Sequence, residues 1–278
     1  MKREYMLIQA DAKTIQQIFN IQHCINDEVK LHIKHDGIQI QGVDPTHVEM
    51  ISQQIPKQSF YVYEVEPEYQ IALDLDKIKE IFKNVTKTDT CQIMYDSEKD
   101  QTNIFITIGS FKHKLSIVDL ANIPDAKKPT LNLPGEVEFN IKTFYEFLRQ
   151  ADKIDDHFSM TTDNTGLTLH ASSDTNQEIT VHINVDDLHM INSGSIYKSS
   201  FSTDYVYNTV KPLRTCFESC NIHIGNDVPM EMTLKNKWEV NVLIAPRIEQ
   251  EWLTMQKHII VNNIRPGKKY VLVGYTGY

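Results

Sequence analysis

Apolar residues in this chain fall mostly into short alternating runs, and four times the alternation gives way to a helical rhythm. Ile15, Ile18 and Phe19 recur at helical spacing within residues 11–21, behind an Asp- and Thr-rich start. Ile78, Ile81, Phe82 and Val85 do so within Asp76–Val85, and Phe144, Phe147, Leu148 and Ala151 within Lys142–Ala151. Val206, Val210, Leu213 and Phe217 complete the set within Asp204–Phe217. Between these helices a period of two predicts strands. VKLHIK and IQIQG meet at an Asp36-Gly37 hairpin turn, followed by HVEMISQQI, SFYVYEV and YQIALDL, then Thr90–Tyr95, Asn103–Ile108 and His113–Val118. Farther on, EVEFNI, the pair turning at Asn164–Gly166, EITVHINV, Tyr197–Ser202, CNIHIG, PMEMTLK and WEVNVLI read the same way. The helices recur about every 65 residues, so the chain reads as four copies of one module, a short helix followed by several strands. This is an α+β pattern in which helices cover one face of long antiparallel sheets.

Asp119–Gly135 breaks the pattern near the midpoint. It carries three prolines and two lysines and has no sustained period, which marks a connector between two similar halves. Alternation over Thr130–Pro134 favours a tethered, extended segment over a floppy spacer. The expected organisation is an N-terminal domain over 1–118, the connector at 119–135, a C-terminal domain over 136–249, and an extension at 250–278 with enough apolar residues to be at least partly ordered.

Composition adds limits. A chain of 278 residues buries enough surface to fold without disulfides or metal. Cys24, Cys91, Cys216 and Cys220 are scattered and lack zinc-ligand spacing, so free thiols are expected. No apolar run approaches the length of a membrane span and no signal-peptide core is visible, from which an intracellular, soluble protein is expected. The net charge is -9, from 28 basic and 37 acidic residues, which argues weakly against nucleic acid unless basic groups are gathered locally.

They are gathered on the helices. At about 100° per residue, Lys13, Lys79, Lys83, Arg149, Lys153 and Lys211 fall opposite the apolar faces, with Arg214 on a flank. Helices sharing one surface would make it basic on an acidic protein. Such a surface suits the phosphate backbone of duplex DNA and not its base edges. Signatures of catalysis are missing: no phosphate-cradling glycine loop, no His-Glu-x-x-His, no Gly-x-Ser-x-Gly. Asp155-Asp156-His157 and Asp186-Asp187-Leu188-His189 read as surface turns, since neighbours in a strand or turn rarely converge on a metal. No enzyme activity, cofactor or metal is expected.

Four short motifs in order carry a family resemblance. They are Asp36-Gly37-Ile38-Gln39-Ile40-Gln41-Gly42-Val43-Asp44-Pro45-Thr46-His47-Val48, then Leu131-Asn132-Leu133-Pro134, then Asp227-Val228-Pro229-Met230, then Leu243-Ile244-Ala245-Pro246-Arg247-Ile248-Glu249. With the module order, these resemble the sliding clamps of eukaryotes and archaea, the proliferating cell nuclear antigen family, over residues 1–249. The resemblance implies the DNA clamp fold. Each subunit of that family has two like domains, and three subunits close a ring with helices lining the hole and sheets outside. It implies a non-catalytic processivity factor that encircles double-stranded DNA without reading sequence and tethers DNA polymerase and other replication and repair factors through their PIP-box peptides. A clamp loader and a homotrimer are the further expected partners. The location is nuclear in a eukaryotic host and otherwise the cytoplasm or nucleoid.

Carried over by position, the peptide pocket would use Val43, His47, Val48, Leu131, Leu133, Pro134, Pro229, Leu243, Ala245, Pro246 and Ile248, while the helix cations named above would face DNA. Two departures stand out. Leu243 replaces an aromatic residue common in eukaryotic members, and Asn164 stands where those members place a ubiquitinated lysine. The alternative reading is a clamp-like scaffold or transcription or replication factor that binds proteins without encircling DNA.

Overall fold

The computed structural model describes residues 5–123, 125, 127–192 and 194–247, and residues up to Arg247 belong to one compact unit. The predicted extension at 250–278, like Ile248, lies outside the described residues. In the first half the elements run β1 (Tyr5–Asp11), α1 (Ala12–His23), β2 (Glu28–Lys34), β3 (Gly37–Val43), β4 (Glu49–Pro56), β5 (Val62–Glu66), β6 (Tyr69–Asp74), α2 (Leu75–Phe82), β7 (Thr90–Asp96), β8 (Asn103–Ile108) and β9 (Phe111–Ser116). The second half repeats that order with β10 (Gly135–Asn140), α3 (Ile141–Ala151), β11 (His157–Asp163), β12 (Gly166–Ser172), β13 (Glu178–Asn184), β14 (Met190–Asn192), β15 (Tyr197–Ser202), α4 (Thr203–Leu213), β16 (Ser219–Ile224), β17 (Met230–Lys235) and β18 (Glu239–Ile244). Each module is a strand, a helix and three strands, and β5 and β14 follow the first module of their halves.

Five differences from the sequence reading have physical causes. β1 went unpredicted because Leu7 interrupts the Met6, Ile8, Ala10 alternation with an apolar residue on the other face. The fourth helix ends at Leu213, short of Phe217: Arg214 N still donates to Val210 O, but Thr215 N and Cys216 N turn to carbonyls three residues back, on Pro212 and Leu213, which tightens the last turn out of α-helical geometry. The second ends at Phe82 and its last residues pass into a turn, with Val85 N donating to Phe82 O at 3.4 Å. The strand placed at His113–Val118 starts two residues earlier and stops at Ser116, and Val118 instead bridges to Ala72. β14 is three residues long, too short to show a period.

The antiparallel pairings give three sheets. One has order β5-β1-β7-β8-β9, one β13-β12-β11-β15, and the largest β14-β10-β16-β17-β18-β4-β3-β2-β6. The largest is a composite. Its left part repeats the pairing of the first sheet and its right part that of the second, joined where Glu239–Ile244 of β18 pair with Gln54–Glu49 of β4. No linker holds the halves together there; a ladder of backbone hydrogen bonds does.

The helices bury one stripe each against these sheets. α1 packs on β1 and β7, α3 on β10, β12, β13 and β16, and α4 on β11 and β15. Asp74 and Asn140 cap α2 and α3 by accepting from the amides of Lys77 and Lys142. Aromatic packing is densest under α3, where Phe158 of β11 meets Phe144, Phe147 and Phe201 at ring-centroid distances of 6.1, 5.5 and 6.0 Å.

The connector crosses the face of the composite sheet opposite the helices. Val118 N donates to Ala72 O of β6 at 2.9 Å, Asp125 reaches Lys30 of β2, and Lys128 pairs with Glu231 of β17. It therefore passes from one edge strand over the sheet before re-entering as β10. Gly135 makes the re-entry possible: a Cβ there would lie 2.7 Å from the Tyr197 ring. No helix among the described residues is long and apolar enough to cross a membrane. The four cysteines are free, Cys91 and Cys220 buried and Cys24 and Cys216 partly so, and burial raises their thiol pKa values.

Candidate nucleic-acid and partner interfaces

The four helices form one row, α2 beside α1, α1 beside α4, and α4 beside α3. Side chains stitch the row. Gln16 Nε2 donates to Phe82 O at 2.7 Å, Gln17 Nε2 to Thr215 O at 3.2 Å, and Tyr145 stacks on Tyr207 with centroids 5.5 Å apart.

The predicted cations all lie on this row, in three different situations. Lys79, Lys153 and Lys211 are exposed and have no acidic partner among the described residues. Lys83 is paired with Glu80 at 3.4 Å, and Arg149 grips Glu146 through Nε at 3.0 Å and Nη2 at 2.7 Å. Lys13 is half-buried, donating to Gln16 Oε1 at 2.6 Å. Arg214, also half-buried, lies 3.9 Å above the Tyr145 ring. The Tyr145–Tyr207–Arg214 stack was not legible in the sequence, because Tyr145 sits on the buried face beside Phe144. The hydrogen bond from Tyr207, with Arg214 and Lys211 nearby, lowers the Tyr145 pKa.

Between β3 and β4, the Asp44–Val48 loop is organised by a buried carboxylate and touches α4, with Thr46 Oγ1 2.8 Å from the Tyr205 hydroxyl. Asp44 accepts from the amides of Thr46 at 3.0 Å, Val48 at 2.8 Å and Glu49 at 2.6 Å. Burial raises its pKa, but the Thr46 hydroxyl and these amides outweigh burial and hold it below the ordinary value. The turn places His47 in the left-handed region, φ 58°, with its ring exposed. Next to it Glu49 is buried, accepting from the Thr209 hydroxyl of α4, and burial lifts its pKa to about 8.

A cleft of about 790 Å³ opens beside this loop. Of the predicted pocket residues, Val43 and His47 line it, and the connector contributes Ile123, Asp125 and Lys127. Val48 and Ala245 meet at the end of the seam, where Ala245 N donates to Val48 O at 2.8 Å, and Pro246 follows. Leu243 faces Met50 across the same seam and Glu231 on its other side. Leu131, Leu133, Pro134 and Pro229 lie away from the cleft. Leu131 and Leu133 are half-buried, and Pro134 packs near Gly225, close to the start of β17 that Pro229 precedes. Ile123, Asp125 and Lys127 escaped the sequence reading because the connector has no period. Their placement depends on contacts with distant strands.

Among the described residues two groups of potential metal ligands occur, His23 with Asp27 and Asp76, and Asp155, Asp156 and His157. In the second the charges already answer one another: His157 Nδ1 is 2.7 Å from Asp155 and 3.0 Å from Asp156, and Arg247 is 2.7 Å from Asp156.

Comparison with known proteins bears on both faces. Residues 7–123 match the family model of the proliferating cell nuclear antigen N-terminal domain. DNA polymerase sliding clamps of Archaeoglobus fulgidus and Methanococcoides burtonii are both 28% identical, the first over 81% of this chain and 91% of its own length, the second over 87% and 98%. The chain is thus similar to sliding clamps in sequence over more than four fifths of its length.

The clamp fold extends over both halves. The structure of A. fulgidus PCNA with the C-terminal region of FEN-1 bound superposes with a TM-score of 0.82 at 26% identity, over 88% of this chain and all of the other. A chain of the Sulfolobus tokodaii PCNA2–PCNA3 complex gives 0.76 at 26%, with the same coverage. The fold alone is shared with PCNA of Entamoeba histolytica, at a TM-score of 0.80 and 15% identity.

Proposed function

We propose that this protein is a DNA sliding clamp, a non-catalytic processivity factor that encircles duplex DNA and tethers DNA polymerase and other replication or repair proteins. The observation that carries this reading is the continuous helix row with exposed Lys79, Lys153 and Lys211, on a chain whose net charge is -9. Lysines on flexible stems attract a phosphate backbone from any register, which allows sliding. Tethering works through effective concentration: a polymerase held beside its primer rebinds before it diffuses away.

The composite sheet supports closure into a ring. β18 and β4 pair within the chain. Their counterparts in module order are β9 and β13, each at the end of its own sheet with one side unpaired among the described strands. Pairing β9 of one copy with β13 of the next would repeat the internal seam between molecules. Phe111, 70% exposed at the start of β9, and Val185, 40% exposed just past β13, would be covered by it. We take the assembly to be a homotrimer opened by a clamp loader, acting in the nucleus or, in a cell without one, on the nucleoid. Phe111→Asp combined with Lys112→Glu is expected to shift the solution mass, measured by light scattering, from a multiple of the 32.2 kDa chain to the chain itself. An unchanged mass would remove this edge from the assembly.

The peptide contact is placed at the cleft lined by Val43, His47 and Ile123, with Val48, Ala245 and Pro246 at its seam end and Leu131, Leu133, Pro134, Pro229, Leu243 and Ile248 as the further candidates. Retention on DNA tests the central claim. Loaded protein should stay on circular duplex through a high-salt wash and leave the same DNA once it is linearised. Equal loss from both forms would favour the scaffold reading, to which the Glu80–Lys83 and Glu146–Arg149 pairs on the helix face lend some support.

A further inference from the structure

The face of β2 opposite the helices carries Lys30, His32 and Lys34 at successive outward positions. Lys30 is 8% exposed, an unusual burial for a lysine, because the connector lies over it. Asp125 supplies the counter-charge, its Oδ1 2.9 Å from Lys30 Nζ and 3.7 Å from His32 Nε2. These groups, with Gln41 and Gln54, line a polar cleft of about 280 Å³. Asp125 and Gln41 belong also to the larger cleft, so the two clefts share a wall.

The charges do not balance. Two lysines face one carboxylate, and burial lowers the His32 pKa, so its ring adds a hydrogen-bonding group and not a charge. Lys34 Nζ donates only to the neutral Gln39 Oε1, at 2.7 Å, and has no acidic partner among the described residues. Lys127, on the connector at the rim of the larger cleft, has none either. Asp125 shows the chemistry the site accepts: a carboxylate delivered by an extended segment crossing the sheet.

We propose that this polar cleft is an anion subsite, in which an acidic side chain flanking the docking segment of a partner peptide is received by Lys34 and His32 beside the Asp125–Lys30 pair. The inference rests on the reading of the larger cleft as the partner site. The subsite would favour partners with acidic flanks over otherwise similar peptides with neutral or basic ones. It adds selectivity more than strength, because Lys34 is only partly removed from water.

The test uses the full-length protein and fluorescent peptides that share one aliphatic–aromatic docking segment. Beside it stand two glutamates, two glutamines or two lysines, on the N-terminal side in one series and the C-terminal side in another. Anisotropy titrations at low salt should show the glutamate peptide of one series binding about three- to fivefold more tightly than its glutamine counterpart, the upper part of the range for exposed charge pairs. The preference should vanish near 1 M salt, where the screening length is about 3 Å. Lys34→Glu should reverse the order, so that the lysine peptide binds better than the glutamate peptide. Asp125→Asn should widen the preference for glutamate by releasing Lys30. Equal binding of all three peptides, or an order unchanged in Lys34→Glu, overturns the subsite and leaves the larger cleft intact. Failure of every peptide to bind overturns both.

Discussion

Replacing Phe158 with alanine is expected to cost about 3–5 kcal/mol of stability, a larger loss than any surface change to this molecule should cause. The ring is fully buried and meets Phe144 and Phe147 of α3 and Phe201 of β15. Truncation removes the burial of a large aromatic group and leaves a cavity. The neighbours are rings on a helix and on the strand paired with Phe158's own, so they can collapse into it only by shifting whole elements. For a chain of this length the melting temperature should fall by on the order of 10 °C. Phe158→Leu, which keeps most of the volume, should lose markedly less. Calorimetry of both variants checks this, and similar losses for the two would mean that the site fills by rearrangement. The functional consequence follows from α3, which carries Arg149 and Lys153 and depends on this packing for its place in the helix row.

The second large effect is expected at Glu49 and depends on pH. Glu49 is 3% exposed, and among the described residues its carboxyl accepts a side-chain hydrogen bond from the Thr209 hydroxyl. Burial raises its pKa from 4.5 to about 8 in the folded protein, and the negative charge of Asp44 pushes the same way. The folded state therefore holds this proton more tightly than the unfolded chain does. Its contribution to stability is complete below about pH 4.5 and is lost progressively as pH rises to about 8. At about 1.4 kcal/mol per tenfold change in proton activity, the span amounts to a few kcal/mol. Glu49→Gln keeps the shape and an acceptor for Thr209 but removes the titration. It should unfold at higher denaturant concentration than the wild type at about pH 9 and at nearly the same concentration at about pH 4.5. Parallel profiles for the two proteins would show that Glu49 ionises freely. Asp44 works in the opposite direction, because its folded pKa is depressed and its contribution is lost as pH falls through that value.

The two faces of the molecule were legible to different degrees, for physical reasons. Helix periodicity is local, so the apolar stripes and the cations opposite them could be read directly; Lys79, Lys153 and Lys211 stand exposed as the wheel placed them. The wheel did not show which cations are already engaged. Glu146 lies one turn from Arg149 and holds it, and Arg214 is drawn onto a tyrosine of another helix. The cleft was half legible. Val43 and His47 belong to a motif whose aspartate organises its own turn, a local arrangement. Asp125 acquires its place from Lys30, which lies in a strand far upstream, and no period in the connector could announce that. β18 and β4 lie near opposite ends of the described chain, and each reads as an ordinary alternating strand. Nothing in either says that they pair.

That pairing bears on synthesis. β4 emerges early from the ribosome, whereas β18 is the last strand described. Until Ile244 has been translated, one side of β4 lacks its native partner. The nascent N-terminal half thus carries an open, apolar-backed edge through most of elongation, when a strand from another chain could take the vacancy. Gln54, exposed on that edge, and Pro56, which offers no N–H, close the strand's end to such a neighbour.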